Sequence, residues 1–188
     1  LILGAICAGG VALWFHEDGG PWLLPLMMAA GLAGGLAWAA IPAFLRTRFN
    51  TNEILVSLML VYVANLLLSW LVHGPWKDPE GFNFPQSRLF GEDALYPILL
   101  EGTRLNLGLV VALAGVAAGY LLLSRSFLGF QMRVSGYAAP AAGYAGFGAR
   151  RLVWVGLLLG GGAAGLAGMG EVAGPIGQLQ PQVSPGYG

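Results

Sequence analysis

Charge is scarce in this chain of 188 residues. Lysine and arginine number nine, aspartate and glutamate nine, and together they make up only 10% of the sequence. Soluble domains carry roughly 25%, so a water-facing surface of ordinary composition is excluded. The formal net charge of zero is silent on nucleic acid, and no nucleic-acid partner is expected. One cysteine, Cys7, excludes an internal disulfide; set in an apolar run, it reads as a small buried hydrophobe. No Gly-x-x-x-x-Gly-Lys-Ser/Thr loop is present, so ATP binding through a phosphate loop is excluded for this chain. Paired carboxylates within apolar runs, a Ser-His pair and a His/Cys cluster are all missing, which leaves nothing to react covalently with a substrate and no proton relay. His16 and His73 have no second ligand nearby, so no metal is expected. Without an initiating Met or a basic leader, the opening run is not expected to be a signal peptide. The chain is expected to be a fragment, cut at both ends.

Apolar residues are what it has: 56% hydrophobic, with a mean hydropathy of +0.70. Runs of about 20 residues recur, enough to cross a hydrocarbon core of ~30 Å at ~1.5 Å per residue. They are continuously apolar rather than alternating, which argues against a β-barrel. The 31 glycines follow no Gly-X-Y period, which excludes collagen. The expected fold is an all-α membrane protein, a polytopic helix bundle with about five spans in one domain covering 1–188. The runs are Leu1–Phe15 (short for a span), Trp22–Leu45, Ile54–Val72, Leu105–Leu123 and Leu152–Val172. Pro21 and Pro25 suit the start of the second run and Pro42 is placed to kink its far end. Asn52 or Thr51 is placed to cap the third. A loop over 74–103 is rich in proline, and Leu95–Leu100 within it is expected as a short interfacial helix. Pairs such as Gly31/Gly35, Gly115/Gly119 and Gly161/Gly165 suit close helix packing. The run Gly160–Gly162 is either more of that packing or a flexible break.

The charges alternate along the chain. The first and third connections hold three basic residues (Lys77, Arg88, Arg104) and seven acids, whereas the second and fourth hold six arginines and Glu53 alone. The positive-inside rule therefore puts the second and fourth connections in the cytoplasm. The fourth, over 124–151, is the longest of the basic ones: Arg125, Arg133, Arg150 and Arg151 frame small residues and two tyrosines. A plain turn needs only a few residues, so this loop looks built to touch something.

Within it, Pro140-Ala-Ala-Gly-Tyr-Ala-Gly146 resembles the Glu-Ala-Ala-x-x-x-Gly coupling loop of ABC importer permeases, with Pro140 in the Glu place. Gly136–Phe147, Arg150, Gly165-Leu-Ala-Gly168 and Glu171-Val-Ala-Gly174 are similar to the branched-chain amino acid, ribose and nucleoside permease branch. Asn52-Glu53-Ile54, Gly74–Pro79 and Asn83–Ser87 look closest to its nucleoside members. The resemblance implies a transmembrane importer subunit in the bacterial plasma (inner) membrane, forming the path for a nucleoside or similar small polar solute. It also implies a short helix along the membrane that docks on an ATPase subunit. Arg133, Gly136, Pro140, Ala141, Ala142, Tyr144, Gly146 and Arg150 are its candidate contact residues. The other implied partners are a second permease subunit, an extracytoplasmic binding protein and lipid. No cofactor is implied for this chain; ATP and Mg would be held by the ATPase. Pro140 suits the first turn of a helix but removes a carboxylate. Asn65 and Glu171 are the candidate path residues, because polar groups inside spans are functional candidates by default; Asn65 could instead bond a neighbouring helix, and Glu171 could anchor the interface. The rival functions are an ion-gradient-driven secondary transporter, which lacks mid-depth charges here, and an assembly subunit with no path.

Overall fold

A computed structural model describes residues 1–15, 19–79, 84–99, 102, 105–181 and 183. Among the described residues seven α-helices follow in order: α1 (Ile2–Trp14), α2 (Leu23–Phe49), α3 (Glu53–His73), α4 (Leu107–Arg125), α5 (Phe127–Tyr137), α6 (Ala139–Tyr144) and α7 (Ala149–Glu171). A π-helical turn, Val172–Ile176, prolongs α7. No strand occurs among the described residues, only the isolated bridges Lys77–Ser87 and Ile98–Asn106. Among the described residues four helices, α2, α3, α4 and α7, are long and apolar enough to span a membrane. With 13 residues, α1 reaches about 20 Å at ~1.5 Å per residue, short of a ~30 Å core. The expected five spans are thus four full helices and one short one.

Local signals set the helix ends. Asn52 caps α3, accepting from the Ile54 N–H at 3.0 Å, and Asn106 caps α4, accepting from the Gly108 N–H at 3.0 Å. The turn between α2 and α3 is closed by Asn50 in the left-handed conformation (φ 51°) and stapled by an Arg46–Glu53 ion pair of 3.3 Å. Pro42 does not end α2, which runs on for two further turns.

Glycine makes the centre of the bundle, where α1, α2 and α7 cross. A Cβ on Gly35 would run into the Gly161 carbonyl, and one on Gly165 into the Gly31 carbonyl. A Cβ on Gly4 would strike Gly165, and one on Gly168 would strike the Leu1 carbonyl. These are backbone-to-backbone approaches that no larger residue permits. The expected pairs Gly31/Gly35 and Gly161/Gly165 therefore face each other. The Gly160–Gly162 run is not a break: α7 is continuous through it, with Gly161 against Gly35 and Ala39 and Gly162 against Leu32 and Leu36. A neighbouring helix supplies the packing that glycine withholds from its own helix. The irregularity in α7 comes later, at the π turn holding Pro175. Gly115 and Gly119 of α4, by contrast, face open space.

The loop after α3 forms a strap across the acidic end of the bundle. Among the described residues its expected helix is absent: a short 3-10 turn, Glu92–Ala94, gives way to extended backbone at Leu95, and Pro97 disfavours helix at Tyr96. Leu100, the last residue of that expected helix, lies outside the described residues. The strap is bonded to the segment following α7. The Ser87 N–H donates to the Leu179 carbonyl (2.9 Å), the Leu179 N–H to Ser87 Oγ (2.8 Å), and the Phe90 N–H to the Gly177 carbonyl (2.9 Å). Tyr96 donates its N–H to the Ala173 carbonyl (2.8 Å) and its hydroxyl to Met169 Sδ (2.9 Å). Burial pushes the Tyr96 hydroxyl above its ordinary pKa. His16, Glu17, Asp18, Glu80, Asn83, Glu101, Arg104 and the final stretch 184–188 lie outside the described residues.

Candidate functional site

The basic ends of the helices are brought to one side. Trp154, near the start of α7, donates its indole N–H to Thr47 Oγ1 near the end of α2 at 3.1 Å. Arg46 and Arg48 therefore share an end with Arg150 and Arg151. From this end α5 and α6 project as the connection between α4 and α7.

The geometry of that connection follows from its small residues. Ser126 reverses the chain: its hydroxyl bonds back to the Leu122 carbonyl and caps α5 by accepting from the Gly129 N–H at 3.0 Å. A Cβ on Gly129 would collide with the Leu122 and Leu123 carbonyls, so the α4–α5 elbow needs glycine there. Next, α6 begins with Pro140 in its first turn, where the missing N–H costs nothing. It stops at Gly146, whose φ of 75° a residue with a Cβ rarely adopts. Phe147 then folds back, its ring 6.0 Å from Phe127 and 6.3 Å from Phe130 in edge-to-face contact. This aromatic trio fixes α6 on α5.

The product is an exposed ledge. Pro140, Ala141, Gly143, Tyr144 and Gly146 face outward, Tyr144 at 97% exposure and Tyr137 at 91%. Arg133, Gly136 and Arg150 are exposed on its flanks. Ala142 is the exception among the expected contact residues: at 3% exposure it is turned inward, a packing residue rather than a contact. Tyr137 lies outside the Pro140–Gly146 string but within the resembling stretch Gly136–Phe147, and it ends α5. No described acid pairs with Arg125, Arg133, Arg150 or Arg151. The ledge therefore offers two aromatic edges, a floor of small residues and unneutralised guanidinium groups. An apolar, acid-rimmed partner fits that chemistry.

Residues 2–188 match the family described as branched-chain amino acid transport system / permease component. The chain belongs to that family. It is 38% identical to a glucose ABC transporter permease protein of Haloferax volcanii, covering all of this chain and 52% of the relative. It is 30% identical to a guanosine ABC transporter permease protein of Bacillus subtilis, covering 91% of this chain and 49% of that protein. With a nucleoside ABC transporter permease protein of Lactococcus lactis subsp. cremoris the identity is 25%, over 97% of this chain and 51% of the relative. The chain spans about half the length of the curated relatives it matches. No solved structure matches it.

The two expected path residues of this permease chain are far from the ledge. Asn65 is exposed on α3 and donates to the Val61 carbonyl of its own helix at 3.1 Å, so among the described residues it bonds no neighbouring helix. Glu171 closes α7 at the acidic end, half-buried beside the π turn. The structure does not bring the two together. Among the described residues clefts open on the helices. One, of about 920 Å³, lies between α1, α2 and the strap, lined by Trp14, Trp76 and small residues of both helices. Another, of about 320 Å³, lies where α2, α3 and α7 meet the start of α1, and includes Trp38, Ser57 and Val61.

Proposed function

We propose that this chain forms transmembrane helices of an ATP-driven importer that passes a nucleoside or similar small polar solute. The observation that carries the proposal is the ledge: small residues held outward on a helix that Phe147 locks to α5, at the arginine-rich end. An ATPase subunit, with its ATP and Mg, docks there; a second permease subunit completes the path. An extracytoplasmic binding protein delivers solute to the strap end. The arginine bias supports a cytoplasmic ledge in a bacterial plasma (inner) membrane. The names of the guanosine and nucleoside relatives support the substrate class. The second reading is a hexose, favoured by the 38% identity to the glucose permease.

Replacing Ala141 by Trp tests the docking. Ala141 is exposed, so the bulk meets the partner and not the fold. The variant, produced with the rest of its transporter, is expected to keep its helical content and lose both co-purifying ATPase and ATP-dependent uptake. Normal co-purification together with normal uptake would sink the proposal. Uptake of labelled nucleosides against labelled hexoses by the unaltered transporter decides between the substrates.

A further inference from the structure

The cleft between α1, α2 and the strap has two kinds of wall. Its sides are small and apolar residues of the two helices, Gly10, Ala33 and Gly34 among them; none of the lining residues of α1 and α2 is charged or carries an amide. Its roof is the strap. The Lys77–Ser87 bridge, with the Asp78 N–H donating to the Gln86 carbonyl at 3.0 Å, joins two arms of the strap and sets Lys77 and Arg88 on neighbouring backbone. The Ser87 N–H, donating to the Leu179 carbonyl, ties this junction to the segment after α7. Trp76 leans on α1, its ring 2.9 Å from where a Cβ on Gly10 would stand. Of the three basic residues in the first and third connections, two, Lys77 and Arg88, lip this one cleft. Arg88 is exposed, and among the described residues no acid pairs with it.

We propose that this cleft holds one anionic glycerophospholipid, its phosphate on Arg88 and Lys77 and one acyl chain between α1 and α2. The polarity of the cleft runs as that of the lipid does: cations at the lip, the indoles of Trp14 and Trp76 beside them, hydrocarbon below. The depth agrees. From Trp14 to Ile6, α1 lines the cleft over about 12 Å at ~1.5 Å per residue, and one leaflet of a ~30 Å core is about 15 Å deep. A nucleoside or a hexose does not suit it, because its hydroxyls would leave water for alanine and glycine with nothing to bond. A helix from elsewhere in the permease would fill the apolar depth but leave the paired cations at its lip without a reason. The proposal stands apart from the importer reading, since it asks only that the helices lie in a membrane.

Native mass spectrometry of the full-length protein, extracted with its subunits in mild detergent, counts the bound lipid. The probes are phosphatidylglycerol and phosphatidylcholine with the same acyl chains, added at equal concentration. The protein is expected to bind phosphatidylglycerol in preference. Arg88→Ala is expected to cut that preference about fivefold, the effect of one basic residue near an anionic surface, and Arg88→Lys to keep it. Ala33→Trp, which fills the cleft from an exposed position, lowers the count of tightly bound lipids by one. Arg48→Ala, which removes an exposed cation at the opposite end, leaves preference and count unchanged. Equal binding of the two lipids, a preference that survives Arg88→Ala, or a count unmoved by Ala33→Trp would overturn the proposal. A helix in the cleft would give an Ala33→Trp variant that no longer assembles, while Arg88→Ala binds lipid as the unaltered protein does; that result would overturn it too.

Discussion

Adding one methyl group at Gly165 measures how tightly the bundle is closed. A Cβ there would press on the Gly31 carbonyl oxygen, stand 3.0 Å from Gly35 Cα and 3.2 Å from the Gly31 carbonyl carbon. Every atom it meets is backbone, so no rotamer change relieves the contact and α2 must move away from α7. Overpacking a dense interior costs about 1–3 kcal/mol, and contact with backbone belongs at the upper end. Against this, alanine improves on glycine within a helix by about 1 kcal/mol. The net loss is about 2 kcal/mol, which for a chain of this size lowers Tm by about 4–8 °C. The same substitution at Gly119 meets nothing within 4 Å and keeps only the gain, raising Tm by about 2–4 °C. Thermal unfolding of both variants in detergent, followed by size-exclusion of the surviving protein, reads the difference. Shifts of the same sign and size would refute the packing argument, because they would mean that the glycine crossing is no tighter than the bare face of α4.

Three further outcomes follow from single contacts. The Trp154–Thr47 bond ties the basic ends of α2 and α7 together; a double-mutant cycle of Trp154→Phe and Thr47→Val is expected to give a coupling of about 0.5–1.5 kcal/mol in thermal stability. Ser126→Ala removes the α5 cap and is expected to cost about 1 kcal/mol, while Ser124→Ala, whose exposed hydroxyl only bonds back to Tyr120, costs less; equal losses would refute the capping role. Tyr144→Cys and Leu89→Cys, both on exposed residues, are expected to react with a membrane-impermeant thiol reagent from opposite sides, Tyr144→Cys from the cytoplasm alone.

The spans were legible because each is continuously apolar and long enough to cross lipid, and the α3 cap because Asn52 stands just ahead of such a run. The packing role of Gly31, Gly35, Gly161 and Gly165 was legible too, since small residues four apart share a helix face. Whether Gly160–Gly162 bends was not. Glycine weakens a helix locally, yet a neighbour that fills the missing volume reverses the effect, and the neighbour is not written in the run itself. The strap was misread for a related reason. Leu95–Leu100 has helical composition, but Tyr96 bonds Ala173, far along the chain, and Pro97 makes extended backbone the cheaper state. At the ledge the string Pro140–Gly146 gave the residues but not their directions. Only the return of Phe147 onto Phe127 and Phe130 decides that Ala141 faces out and Ala142 faces in.

The placement of the arginines separates what stabilises the helices from what serves the site. Arg46 and Arg48 occupy the last turn of α2, where the helix dipole favours a cation by about 0.3–1 kcal/mol each. Arg150 and Arg151 occupy the first turn of α7, where the same dipole opposes them by a similar amount. Helix stability alone would put acids at 150 and 151 and would leave the arginines where they are at 46 and 48. Both pairs nevertheless stand at one end of the bundle. A single rule that holds for both concerns that end and not the helices: positive charge gathers on the side that carries the ledge. The sidedness we propose accounts for all four, and the ATPase docking we propose would account for why the unfavourable pair adjoins α6 rather than the turn between α2 and α3. There Arg46 already has Glu53 as its partner.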